Sequence, residues 1–246
     1  MAVLDIRGLT KSYGAVDALK GVDLVVNEGD VLALCGDNGA GKSTLIKIVS
    51  GAQPPSAGTI LLKGNPVEFT SPHDALAKGI ATIYQDLALA PRLSIAENVF
   101  LGAELEKSAL KLPFLSMLDK KRMRRQAAAY LERLGIEITD TRVAVEQLSG
   151  GQRQAVAICR ALRWNAELII LDEPTAALGV RETQRVLDLI RRLRDAGHTI
   201  ILISHNMSDV MAVASRVAIL RGGQKIADVP TAGLDADRLA HMVMLG

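Results

Sequence analysis

Four short runs of the chain, residues 31–35, 80–84, 168–171 and 199–203, are apolar almost throughout, with no polar residue at every second position. A strand reads this way when both of its faces are buried, as in a parallel sheet covered by helices. Between these runs the apolar period lengthens to that of a helix. Residues 43–50, 72–78 and 181–196 each fit this period and stop at a glycine, Gly51, Gly79 and Gly197, and residues 153–162 and 235–245 fit it too. Strands that alternate with helices predict an α/β fold with a mainly parallel sheet.

Two regions depart from that rhythm. Near the N-terminus, residues 3–7 and 22–26 are short apolar segments, and residues 59–62 and 67–69 flank Gly64-Asn65-Pro66 as a hairpin would, so an antiparallel β subdomain is expected there. Its first loop, Lys11-Ser12-Tyr13-Gly14, carries an aromatic ring that either packs on its own hairpin or stacks on a base. From about residue 86 to 147 the pattern is helical. Ser94-Ile95-Ala96-Glu97 has the capping-box form, and Asp119 can cap a helix that runs to Leu134 and stops at Gly135. This stretch is expected to be a helical insertion within one domain covering residues 1–246. Its basic run, Lys120, Lys121, Arg122, Arg124 and Arg125, reads first as a solvated helix face and second as a contact for acidic lipid or a partner. A last hairpin is expected at residues 217–229 around Gly222-Gly223.

The chemistry gathers at the strand ends. After the run at 31–35 comes Gly36-Asp37-Asn38-Gly39-Ala40-Gly41-Lys42-Ser43, then Thr44, a phosphate loop whose glycines let backbone N–H groups surround an anion at a helix start. Its four specified letters arise by chance in roughly one chain in a hundred of this length. Lys42 adds a positive charge and Ser43 a hydroxyl for Mg²⁺; Asp37 is expected to point outward and is given no role. Leu148-Ser149-Gly150-Gly151-Gln152 precedes another helix and reads as a second anion cradle. Asp172 and Glu173 end one strand, where a carboxylate can hold Mg²⁺ and its neighbour can orient a water. Gln85 and His205 end two others. His73, His198 and His241 read as structural.

Composition narrows the setting. At 246 residues and 49% hydrophobic there is ample core, yet no apolar run approaches the ~20 residues that cross a bilayer. No signal-peptide pattern opens the chain. A net charge of +2 and 3% aromatic content give no reason to expect nucleic-acid binding. Cys35 and Cys159 lack metal or redox spacing and read as small buried residues of a reducing compartment. The composition suits a cytoplasmic protein.

With these motifs in order, the chain resembles the ATP-binding cassette (ABC) ATPases over essentially its whole length. The resemblance implies a P-loop NTPase core, ATP and Mg²⁺ as ligands, and a role for each matched residue. Tyr13 would stack on the base; Gly36, Asn38, Gly39, Gly41, Lys42, Ser43 and Thr44 would hold the phosphates. Ser43, Gln85 and Asp172 would support Mg²⁺, Glu173 would polarise the attacking water, and His205 would contact the γ-phosphate. Ser149, Gly150, Gly151 and Gln152 form the family signature, which in that family reaches the ATP of a second subunit, so a head-to-tail dimer is implied. Gly179 stands where the family has a loop aspartate, which puts coupling through that loop in doubt.

Finer wording, Ile83-Tyr84-Gln85-Asp86, the segment from Ser94 to Gly102, and Ser204-His205-Asn206-Met207, is similar to the monosaccharide-import branch. That implies an ATPase subunit on the inner face of the cell membrane, working with separate permease subunits that dock near residues 86–102 and, indirectly, an extracytoplasmic sugar-binding protein. The alternatives are a soluble cassette ATPase of translation or DNA repair, an importer ATPase for another small solute, and a nucleotide sensor without turnover. Glu173 argues against the sensor, because binding alone needs no water-orienting carboxylate.

Overall fold

The computed structural model describes residues 1–107, 117–136, 138 and 140–245. It opens with two long strands, β1 (Ala2–Tyr13) and β2 (Val16–Asn27), then β3 (Val31–Cys35) and α1 (Lys42–Val49). Next come β4 (Ala57–Leu62), β5 (Asn65–Val67), α2 (Pro72–Ala77) and β6 (Ile80–Ile83). Helices α3 (Ile95–Phe100), α4 (Lys120–Arg133) and α5 (Gly150–Arg163) lead to β7 (Leu168–Asp172). The chain continues through α6 (Val180–Asp195), β8 (Thr199–Ile203), α7 (Met207–Val213), β9 (Arg216–Arg221), β10 (Gln224–Pro230) and α8 (Ala236–Leu245).

The main sheet has six strands in the order β10-β9-β3-β8-β7-β6, and every pairing in it is parallel except β9 with β10. Its strands lack polar alternation because both faces are covered. Val31, Ala33, Cys35, Ile169, Leu171, Ile200 and Leu202 face a core built with α3 to α8. Leu32, Leu34, Leu168, Ile170, Ile201 and Ile203 face a second core, which α1 and the antiparallel sheet supply. That smaller sheet is four-stranded, in the order β2-β1-β4-β5. Because β3, β6, β7 and β8 run in one direction, the residues that follow each of them emerge at one edge of the sheet.

Several boundaries move from those the sequence suggests. The short segments at 3–7 and 22–26 are parts of twelve-residue strands, which continue through polar residues because β1 pairs on both sides, with β2 and β4. Tyr13 is therefore the last residue of β1, opposite Val16, and not a loop residue. Asn65 and Pro66 belong to β5, so the hairpin turn is at Lys63 and Gly64, both with positive φ.

Within residues 86–147 the described elements are α3, α4 and a 3-10 turn at Val145–Gln147. The Ser94 capping box is present, and Asp119 accepts the Arg122 N–H at 3.0 Å. In α4, Met123, Ala127 and Leu131 are buried at a spacing of four while Lys120, Lys121, Arg122, Arg124 and Arg125 are exposed, as a solvated basic face requires. His198 Nδ1 lies 3.2 Å from the Ala166 carbonyl, and His73 meets Trp164 edge to face at 5.8 Å between ring centres. Both cysteines are buried and unpaired.

Candidate functional site

The loop after β3 is shaped by two glycines. At Gly36, φ is 147° and a Cβ would fall 2.2 Å from the Leu220 carbonyl oxygen; at Gly41, φ is 104° and a Cβ would fall 2.7 Å from that of Ala18. Any side chain there would collide with backbone. At Gly39 φ is also positive, but the space beside it is open. Asp37, Asn38 and Ser43 are exposed, and Thr44 is half-buried. Helix α1 begins at Lys42, one residue earlier than its apolar period indicates, with Gly41 at its N-cap and no side chain capping it. Its first N–H groups thus remain directed at the loop. The Lys42 ammonium donates to the carbonyls of Gly36 at 2.6 Å and Asp37 at 2.9 Å, so it already lies within the loop that would enclose a phosphate.

The carboxylates stand beside it. Burial, with Glu173 adjacent, pushes the Asp172 carboxyl above the usual range, while the Lys42 charge opposes the rise. The same Lys42 and Glu173 act on Cys35, whose thiol burial raises to about 12, so β3, α1 and β7 converge here and the cysteine is inert. Glu173 has φ 50°, a left-handed conformation that is strained for a side chain of its size, and its N–H bonds the Ile203 carbonyl at 3.0 Å. His205, after β8, brings Nδ1 to 2.8 Å from Glu173 Oε2.

Sequence reasoning missed one link beside this pair. Thr175 Oγ1 donates to buried Asp209 Oδ2 at 2.7 Å, tying the loop after Glu173 to the helix after His205. Nothing in the spacing of the two residues signals the contact, because 34 residues separate them.

No group of three or more His, Cys, Asp or Glu side chains that could cage a metal occurs among the described residues. The available donors are the Ser43 hydroxyl, the Asp172 carboxylate and the Gln85 amide. That oxygen set suits Mg²⁺, which binds through one or two protein oxygens together with phosphates and waters. The paired negative charge at 172–173, opposed only in part by Lys42, also favours a cation.

Gln85 follows β6 and is exposed. It lines a groove of about 480 Å³ together with Glu173 and with Gly150 at the head of α5. Tyr13 is 45% exposed, contacts the Gln53 side chain through its hydroxyl, and has Lys11 Nζ 5.4 Å from its ring centre.

The second cradle differs from its sequence reading. Helix α5 begins at Gly150 rather than at residue 153, with Ser149 as N-cap. Ser149 Oγ accepts the Gln152 N–H at 3.4 Å, and Gln152 Oε1 accepts the Ser149 N–H at 3.0 Å. These two side chains cap their own helix, which leaves the N–H groups of Gly150 and Gly151 to face an anion. At Gly150 a Cβ would lie 2.4 Å from Leu178 Cδ2, the movable end of a side chain; around Gly151 the nearest atom is 3.7 Å away, an ordinary contact. No hydrogen bond or ion pair among the described residues joins Ser149, Gly150, Gly151 or Gln152 to the loop at 36–44.

Residues 19–176 match the family model described as ABC transporter. The chain belongs to the ABC transporter family. It is 50% identical to a fructose import ATP-binding protein of Rhizobium meliloti over 225 residues, covering 91% of this chain and 86% of that protein. It is 45% identical to a ribose import ATP-binding protein of Yersinia pestis over 242 residues, covering 98% of this chain but 46% of that longer protein. Among solved structures, an ATP-binding cassette of an ABC transporter superposes with a TM-score of 0.85 at 26% identity, covering 100% of this chain and 98% of the other. The fold is that of an ABC cassette, and the chain is an ATP-binding ATPase of this family. No helix among the described residues is long and apolar enough to cross a membrane.

Proposed function

We propose that this chain is the ATP-hydrolysing subunit of an importer for a monosaccharide, and that it forms a single cassette domain working on the inner face of the cell membrane. The observation that carries the hydrolytic part is the contact between His205 Nδ1 and Glu173 Oε2 at 2.8 Å, at the sheet edge where Lys42 and Asp172 also converge. In this reading the N–H groups from Gly36 to Thr44, with Asn38 at the loop's exposed rim, surround the β- and γ-phosphates. Lys42 exchanges its carbonyl partners for them, and Tyr13 stacks on the base. Ser43, Asp172 and Gln85 hold Mg²⁺, which when bound offsets charge on the phosphate oxygens. Glu173 accepts a proton from the attacking water, and His205, in contact with that carboxylate, orients it and contacts the γ-phosphate.

Ser149, Gly150, Gly151 and Gln152 complete the site of a second copy. Two features support this: among the described residues no hydrogen bond or ion pair joins the signature to the chain's own phosphate loop, and Gly151 lacks a side chain that its own surroundings would accommodate. Gly179, the N-cap of α6, has open space beside it and brings no carboxylate to the loop before that helix.

The sugar reading draws on the fructose and ribose import relatives. A groove of about 360 Å³ lined by Tyr84, Leu101, Gly102, Arg160 and Trp164 suits a segment of a permease, close to the docking surface expected at 86–102.

One experiment tests both parts: a tagged Glu173→Gln chain is loaded with ATP and incubated with detergent-solubilised membranes of the native host. The expected result is retained ATP, turnover lower by about 10²- to 10⁴-fold, and near-stoichiometric recovery of a multi-span membrane protein. Wild-type turnover would remove Glu173 from the chemistry. Recovery of ribosomal or DNA-repair proteins with no membrane protein would overturn the transport assignment.

A further inference from the structure

Gln85 has no side-chain partner among the described residues, so its place is set by the turn that carries it. That turn is held in an unusual shape. Asp86 Oδ1 accepts the Ala88 N–H at 3.2 Å, and Ala88 has φ 48°, in the left-handed region that a residue with a Cβ adopts only under constraint. The constraint comes from a distant element. Arg160, on α5, donates from Nη1 to the Ala88 carbonyl at 2.9 Å and from Nη2 to the Leu87 carbonyl at 2.9 Å. The planar fork of a guanidinium serves the two carbonyls from two separate nitrogens held in a fixed geometry. The group is half-buried, and its proton is held less tightly because burial disfavours the charge.

We propose that Arg160 is the positioning residue for Gln85: it fastens the 85–88 turn to α5 rather than leaving it to follow β6. Arg160 lies ten residues beyond Gly150 in the helix, or ~15 Å at 1.5 Å per residue, and the same rigid helix presents the signature. A displacement of α5 relative to the sheet therefore carries Gln85 with it. The guanidinium also lines the groove of Tyr84, Leu101 and Trp164, where an incoming segment would meet it. The inference rests on the reading of Gln85 as a support for Mg²⁺.

The test compares the purified chain with Arg160→Met, Arg160→Lys, Gln85→Ala and the Arg160→Met/Gln85→Ala double variant. Two quantities are read: the Mg²⁺ concentration that half-saturates ATP hydrolysis, and amide hydrogen exchange of residues 85–89 without nucleotide. Arg160→Met should raise the half-saturating Mg²⁺ by about 10-fold, the scale for losing a residue that orients a metal ligand. Exchange at 85–89 should quicken while residues 31–51 stay unchanged. Arg160→Lys keeps the charge but replaces the fixed two-nitrogen fork with a single ammonium, so it should shift both readings partway; it carries the comparison if the Met variant does not fold. The double variant should match Gln85→Ala alone.

Wild-type Mg²⁺ dependence and exchange in both Arg160 variants, beside a shifted Gln85→Ala, would overturn the proposal. An unshifted Gln85→Ala would instead overturn the metal reading of Gln85, and this inference with it.

Discussion

Glycines in this chain separate the demands of folding from those of function. Gly36 cannot carry a Cβ, because backbone from β9 lies 2.2 Å from where it would sit and φ is 147°. Gly151 can, since its nearest neighbour would be 3.7 Å away and its φ is not positive. Gly36→Ala is therefore expected to destabilise the fold by about 1–3 kcal/mol or more, from strain alone, read as a lower denaturant midpoint. Gly151→Ala should leave that midpoint unchanged, yet abolish the ATP-dependent rise in mass seen by light scattering. A fall in stability for Gly151→Ala would give its glycine a structural cause instead. Both positions are marked by their motifs, but which of them the fold itself requires depends on atoms far away in the sequence, at Leu220 and Glu182.

Helix caps link local sequence to the response to acid. Glu97 closes the capping box of α3, with Oε2 3.0 Å from the Ser94 N–H and 2.7 Å from its hydroxyl, and its other oxygen lies 3.0 Å from Lys120 on α4. The Ser94 N–H first, then the Ser94 hydroxyl and Lys120, lower its carboxyl to about 2. A depressed carboxyl contributes stability that is present above its unfolded value, ~4.3, and that is lost as pH falls through the folded value. Thermal unfolding followed between pH 5 and 2 should therefore show a steeper loss for the wild type than for Glu97→Gln; equal slopes would exclude this box as a source. The Ser94-x-x-Glu97 spacing makes the box itself legible in sequence, whereas the Lys120 contact needs α4 folded against α3.

At the scale of the whole molecule, one chain presents a phosphate loop and a signature that do not meet. If each completes the other's site in a head-to-tail pair, Lys42→Ala and Gly151→Asp chains should each be inactive alone. Mixed, they should regain ATPase activity, because one of the two composite sites in the heterodimer is then intact. No recovery on mixing would argue against the shared site.

The content of the strands and the motifs of the site are legible in the chain without its fold. Unbroken apolar runs specify strands buried on both faces, and the glycine, lysine and carboxylate positions specify phosphate chemistry, because both depend on neighbours in the chain. Contacts between segments far apart emerge only on folding: His205 on Glu173, Thr175 on Asp209, and Arg160 on the turn after Gln85. Tyr13 as a strand end belongs there too, since β1 continues past its apolar residues by pairing with β2 and β4. Local pattern carries the period of a helix or strand, but pairing partners and reach across the fold are set by packing, which no short stretch of sequence contains.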